Sequence, residues 1–279
     1  MNKLEMIFKN YLLYIFLSTI GFIYIAPLLL MFLYSLMPLT QIGRFPPDFI
    51  PDKFQWVNYI SALEFWNFSV GLKNTLIITI LCIIGNVLSS SFVAYGFARF
   101  EFPGRNILFS LLLGTMMLPF AVTMVPLYLG YNYLGFVNTF IPLILPHYFG
   151  VAFFIFLLRQ FYLSIPKEYL DAARIDGASE INIWWRIMIP LSKPAILVVI
   201  ILTFQQTWDD FIQPLIYLHD EDLQTLSLGL FRFRALPGQG SILNEMMAAS
   251  VMLTVHQVLV FLIFQKQIMD GATLSGIKG

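Results

Sequence analysis

Charge is scarce in this sequence. Asp, Glu, Lys and Arg make up 11% of its 279 residues, where a soluble globular domain carries about a quarter. Hydrophobic side chains make up 58%. So few charges cannot cover a core that large, so lipid is the solvent for most of the chain. Acidic and basic residues also balance, 16 against 16. No basic surface is available to neutralise phosphates, which argues against nucleic acid as a partner. Cysteine occurs once, as Cys82 in an apolar run. An internal disulfide and a cysteine-based metal site are thereby excluded, and Cys82 reads as a small packing residue. The three histidines, His147, His219 and His256, are scattered, without the His-Glu-x-x-His spacing of a metalloprotease. Cys-x-x-Cys and Gly-x-Ser-x-Gly are missing. Gly271-ATLS-Gly276 has the outline of a phosphate loop, but continues Ile277-Lys278 in place of Gly-Lys-Ser/Thr, and no predicted strand precedes it. The chain is expected to bind no cofactor and to be no enzyme.

What is abundant is uninterrupted hydrocarbon. A membrane helix needs about 20 apolar residues. Residues 11–37 supply one, too long for a cleaved signal peptide, whose apolar region runs about 7–15. Residues 74–98 supply a second. Residues 106–158, a run of 53, carry no formal charge. At about 1.5 Å per residue this exceeds a hydrocarbon core of about 30 Å, so it must fold back. Turn signals at Gly130, Asn132, Gly135 and Asn138 place the fold and predict helices over 107–128 and 140–161. Residues 194–217 and 247–265 complete six spans. The expected fold is an all-α, polytopic membrane protein with six transmembrane helices. The alternating segments of a membrane barrel are missing.

Orientation follows from the Lys/Arg bias. With both termini cytoplasmic, eleven basic residues fall inside and five outside: Arg44, Lys53, Lys73, Arg232 and Arg234. Residues 164–193 are then cytoplasmic, and 38–70 and about 218–245 are external.

One polar stretch interrupts this pattern: 168-EYLDAARIDGASEINIWWRIMIPLSKPA-195. Ser164 is placed to cap a helix with Pro166 in its first turn and Glu168 behind it. Asp171 and Arg174 are spaced to pair on one face. Gly177 can take the left-handed conformation that ends the helix. Ser179 can cap a second short helix over 180–189, which Pro190 stops. The result is helix, sharp turn, helix. Ala172 and Ala173 leave room for close approach to the backbone. On spacing alone, an amphipathic interfacial helix and a docking element fit equally.

Asp171-Ala172-Ala173, three residues, Gly177, nine residues, Ile187, one residue, Ile189-Pro190 resembles the "EAA" loop of ABC importer permeases. That pattern has Glu and Leu where this chain has Asp171 and Ile189. The stretches 45-FPPDFIPDKFQWVNYI-60, 94-AYGFARFEFPGR-105, 207-TWDDFIQPLIYL-218, 225-TLSLGL-230 and 265-QKQIMDGATLSGIKG-279 are similar to the maltose-type, carbohydrate branch, and to its six-span second permease. The resemblance implies an ABC type-1 transmembrane domain. It divides the chain into a first helix with external loop (1–70), the transmembrane domain (71–266) with its coupling loop (164–193), and a cytoplasmic tail (267–279). It implies a heterodimer with a second permease subunit, two ATPase subunits that hold ATP and Mg, and an external solute-binding protein that delivers a sugar across a bacterial or archaeal inner membrane. Glu168, Asp171, Ala172, Ala173, Asp176 and Gly177 are the residues expected at the ATPase, with Gly271–Gly279 a second contact. Asp171 is shorter than the family's Glu.

Polar groups inside spans are candidates for the substrate path. Asn86 and Ser89-Ser90-Ser91 lie in the second span, Gln205, Gln206, Thr207, Trp208, Asp209 and Asp210 toward the outer end of the fifth, and His256 and Gln257 in the sixth. A sugar path wants aromatic faces and amide partners, which favours Asn86, Gln205, Gln206, Trp208 and Asp209. For any one of them, interhelical hydrogen bonding is the plainer account. A secondary carrier would need intramembrane carboxylates, which mid-span positions lack. Arg232 and Arg234 are the features that suit a glycerol-phosphate-type cargo instead, although a solvated loop is the plainer account of them.

Overall fold

The computed structural model describes residues 3–234 and 242–276, and among them every regular element is helical. The chain runs α1 (Lys3–Ser35), α2 (Leu39–Ile42), α3 (Val57–Phe65), α4 (Phe68–Arg99), α5 (Arg105–Thr115), α6 (Phe120–Tyr133), α7 (Ile141–Ile144), α8 (Ala152–Ser164), α9 (Glu168–Ile175), α10 (Glu180–Ile183), α11 (Ile189–Leu191), α12 (Lys193–Trp208), α13 (Ile212–Tyr217), α14 (Leu226–Phe231) and α15 (Leu243–Gly276). Among the described residues, four segments are long and apolar enough to cross a bilayer: Tyr11–Ser35, Phe68–Arg99, Ile141–Ser164 and Leu243–Gln265. Counting each of two bent pairs as one span gives six.

One bent pair breaks a predicted helix, and another predicted helix stops early. Residues 107–128 are not one helix: α5 and α6 meet at 96°. Pro119 is extended (φ −65°, ψ 141°) and disfavours helix at Leu118 before it. The predicted helix over 194–217 ends at Trp208, and α13 starts afresh at Ile212. In the polar stretch, Ser164 is not a cap. It is the last residue of α8, its hydroxyl donates back to Phe161 O at 2.7 Å, and Lys167 precedes α9. Pro190 does not stop the second short helix either. A π-turn over Trp184–Met188 lies between α10 and α11. Such a widened turn shifts the hydrogen-bond register ahead of the proline, which has no N–H to give. The bend falls instead at Ser192, where α12 leaves at 81°.

Cα packing divides the chain into two units. In the first (Met1–Phe68 and Gly229–His256), Asn58 is 3% exposed and ties the chain after α1. Its amide donates to Ser35 O (2.9 Å) and Met37 O (3.1 Å), and its oxygen accepts from Asn244 (2.9 Å). The exposed apolar face of α1, from Tyr11 to Phe32, suits lipid.

Among the described residues of the second unit (Ser69–Leu228 and Gln257–Gly279), two apolar clusters form. The larger packs Tyr95 and Ala98 of α4, Phe154, Leu158 and Tyr162 of α8, Leu170 of α9, and Ile183 beyond it. The polar stretch is thus seated on the membrane helices through its apolar side. The smaller cluster contains Cys82, fully buried, with its thiol against Leu143 O at 3.4 Å. The helix predicted over 140–161 is also interrupted: the chain is not α-helical over 145–151, where Pro146 and Gly150 fall, and α8 starts only at Ala152. Backbone groups left open inside a membrane need partners. Serines of α4 supply them: Ser89 donates to His147 O (2.8 Å), and Val151 N–H donates to Ser90 (3.2 Å). Gly85 lets this segment come close, since a Cβ there would sit 2.7 Å from the Tyr148 ring.

Candidate functional site

The polar stretch folds as helix, turn, helix. Gly177 is left-handed (φ +79°), and its amide donates to Arg174 O at 3.0 Å. Nothing lies within 4 Å of the point where a Cβ would stand, so the glycine is there for backbone conformation and not for space. Ser179 caps α10, accepting from Asn182 N–H at 3.4 Å.

α9 is two-sided. Leu170 is 1% exposed and Ala173 packs behind it on the larger cluster. The other face leaves Glu168, Asp171, Ala172, Asp176 and Gly177 exposed, with Tyr169 and Ile175 among them. Five of the six residues expected at a partner therefore share an accessible surface, and Ala173 lies half-buried beneath it. The large apolar side chains on that surface, Ile175 at 87% exposed above all, suit a protein contact.

Arg174 organises the charges. Its Nη1 meets Asp171 Oδ1 at 2.9 Å and its Nε meets Glu180 Oε1 at 2.8 Å. Donation by Arg174 is the first cause, and donation by Tyr95 a lesser one, that holds the Glu180 carboxyl below its ordinary range. Glu180 and Tyr95 were not among the residues singled out from sequence. Glu180 follows Ser179 as an ordinary first-turn acid, and nothing local shows that Tyr95, 85 positions earlier, reaches it.

The candidate path residues are not gathered in one place. Asn86 is fully buried and donates to Thr203 at 2.9 Å, joining α4 to α12. Trp208 is 7% exposed and stacks on Phe204 at 5.0 Å. Gln205 is half-buried, and exposed Asp209 accepts from Gln257. Gln206 lines a cavity of about 80 Å³ with Thr75, His147, Thr207, Asp210 and Gln213, room for a few waters. Asp210 also accepts from Gln213 N–H (3.2 Å) in the first turn of α13. Among the described residues no group of His, Cys, Asp and Glu could hold a metal ion. The expected tail contact falls at the chain end, where α15 continues to Gly276 and residues 277–279 lie outside the described residues.

A family model described as "Binding-protein-dependent transport system inner membrane component" matches residues 86–268. The arabinooligosaccharides transport system permease protein AraQ of Halalkalibacterium halodurans is 36% identical over 94% of this chain and 96% of its own length. The protein of the same name in Bacillus subtilis is 34% identical over 95% and 94%. The sn-glycerol-3-phosphate transport system permease protein UgpE of Yersinia enterocolitica is 30% identical over 88% and 89%. In structure, a chain of a bacterial ABC transporter for import of the acidic polysaccharide alginate superposes with TM-score 0.84, at 21% identity, over 95% of this chain and 98% of its own. The chain belongs to the binding-protein-dependent transport system inner membrane component family: it is a multi-pass membrane permease, and such permeases are not themselves catalytic.

Proposed function

We propose that this chain is one of two unlike permease subunits of an importer for a sugar or oligosaccharide, in a bacterial or archaeal inner membrane. An external solute-binding protein delivers the cargo. Two separate ATPase subunits hold ATP and Mg and dock beneath the permeases. Both termini and residues 164–193 face the cytoplasm. The observation that carries the reading is the placement of Asp171, Ala172 and Gly177 on one exposed surface of a short stiff helix whose opposite side is seated on the membrane helices. A partner that pushes on α9 pushes on that larger cluster. A neutral sugar is favoured over a phosphate ester because the arabinooligosaccharide relatives are more similar to this chain than the glycerol-phosphate one. Amides and an aromatic ring on α4 and α12 (Asn86, Gln205, Gln206, Trp208), with Asp209 beyond them, supply the chemistry that sugar hydroxyls and ring faces require.

The test uses reconstituted complexes of this chain, its neighbouring permease, the ATPase and the binding protein. Gly177→Pro cannot adopt the positive φ of the turn. Ala172→Trp leaves the packing alone, since Ala172 is exposed, and blocks close approach. Loss of sugar-stimulated ATP turnover in both variants is the expected result. Full turnover in both would show that the loop is only an interfacial helix.

A further inference from the structure

Gly177 makes a turn with open space where a side chain would begin. A push on α9 would be absorbed there unless a second tie crossed the turn. Leu170 and Ala173 set the depth of α9, but one leucine and one alanine on a single side leave the helix free to rock about its axis. Arg174 lies one turn further along the same face, at i+4. Its guanidinium crosses the turn to Glu180 Oε1 at 2.8 Å. The other carboxylate oxygen, Glu180 Oε2, accepts from the Tyr95 hydroxyl at 2.5 Å. Tyr95 belongs to membrane helix α4 and is 2% exposed. Its ring stands edge-on to Phe100 (5.6 Å) and Tyr162 (6.5 Å). One turn later on α4, Arg99 donates to Tyr162 O (2.5 Å) and Ile165 O (2.7 Å), fastening the end of α8. A single line of charge-assisted hydrogen bonds thus runs from Asp171, 60% exposed, through Arg174 and Glu180 to a buried tyrosine in a spanning helix.

We propose that Glu180 and Tyr95 are positioning residues for coupling: they lock α9 to α4 across the Gly177 turn, so that displacement of the docking helix is passed to the membrane. This rests on the reading of α9 as the ATPase contact. Glu180 Oε1 takes the short bond from Arg174 Nε, and Oε2 joins the two sides, accepting from the Tyr95 hydroxyl at 2.5 Å and from Arg174 Nη2 at 3.4 Å. Asp171 shares Arg174 with it, so a partner cation that takes Asp171 leaves Arg174 committed to Glu180 and tightens the tie as docking occurs.

Tyr95→Phe removes one hydroxyl, and Glu180→Gln removes the charge at a side chain 40% exposed, which spares the core. Sugar uptake and ATP hydrolysis are measured in the same vesicles, together with complex yield and melting temperature. Each variant is expected to lower sugar transported per ATP by about tenfold, the size of one lost hydrogen bond to a charged group. The double variant is expected to be no worse than Glu180→Gln alone. A purely structural role would lower yield or melting temperature and leave transport per ATP at its wild-type value. An unchanged ratio in both variants, or effects that multiply in the double variant, overturns the proposal. The Ala172→Trp complex separates the two readings. If it loses stimulated turnover while Tyr95→Phe and Glu180→Gln keep the wild-type ratio, the tie is wrong and the docking surface stands. If it keeps turnover, the docking surface itself is wrong.

Discussion

Polar side chains in this protein hold backbone together where helices stop. Asn58 holds two carbonyls at the end of α1, and Ser89 and Ser90 serve the non-α-helical segment before α8. Asn58 and Ser90 are buried and Ser89 is half-buried, and a buried carbonyl or N–H left unmet costs about 1–3 kcal/mol. Glu180 differs, because it is ionised and half-exposed. Its carboxyl is held below the ordinary value of 4.5, first by donation from Arg174. A depressed carboxyl contributes stability that is present above its unfolded value and lost as pH falls through the folded one. Exposure keeps this contribution below about 1 kcal/mol. The melting temperatures of wild-type and Glu180→Gln complexes should therefore differ at pH 7 and converge as pH drops below about 4.5, the unperturbed value. A difference that persisted unchanged into that acid range would show that the Arg174–Glu180 pair is not what holds the carboxyl down.

Among elements, the breaks matter more than the helices. α5 ends in a tightened last turn, with Met116, Met117 and Leu118 N–H groups each donating three residues back. The break at Pro119 therefore leaves few donors open in a span whose residues face outward. α9 and α10 are short, so their ends weigh heavily in their stability. Ser179→Ala removes the α10 cap and should cost about 0.5–1 kcal/mol. Faster amide hydrogen exchange over residues 180–188, with α4 and α8 unchanged, is the expected readout. Unchanged protection would mean that the seat of Ile183 and Trp184 in the larger cluster holds the segment without the cap.

For the whole molecule, the proposed sidedness predicts a labelling pattern that the chain's cysteine content makes easy to read. Its single cysteine is fully buried, so the parent protein should not react with a membrane-impermeant thiol reagent. Lys53 and Lys167 are both exposed. In intact cells Lys53→Cys should label, and Lys167→Cys should label only after permeabilisation. The reverse pattern would invert the topology and place α9 on the face opposite to the one proposed for the ATPase.

The sequence by itself determined the class of solvent, the all-helical character and the spans near 11–37, 74–98 and 247–265, because long apolar runs leave no alternative in lipid. It also determined the Gly177 turn, since a positive φ selects glycine within a few residues. The breaks at Pro119, over 145–151 and after Trp208 were less legible. A proline allows either a kink or a full stop, and tertiary neighbours such as Ser89, Ser90 and Gly85 decide which. Tertiary structure alone decided that Tyr95 meets Glu180 and that Asn86 faces Thr203. These are contacts between residues 85 and 117 positions apart, and no local pattern encodes a pairing at that distance.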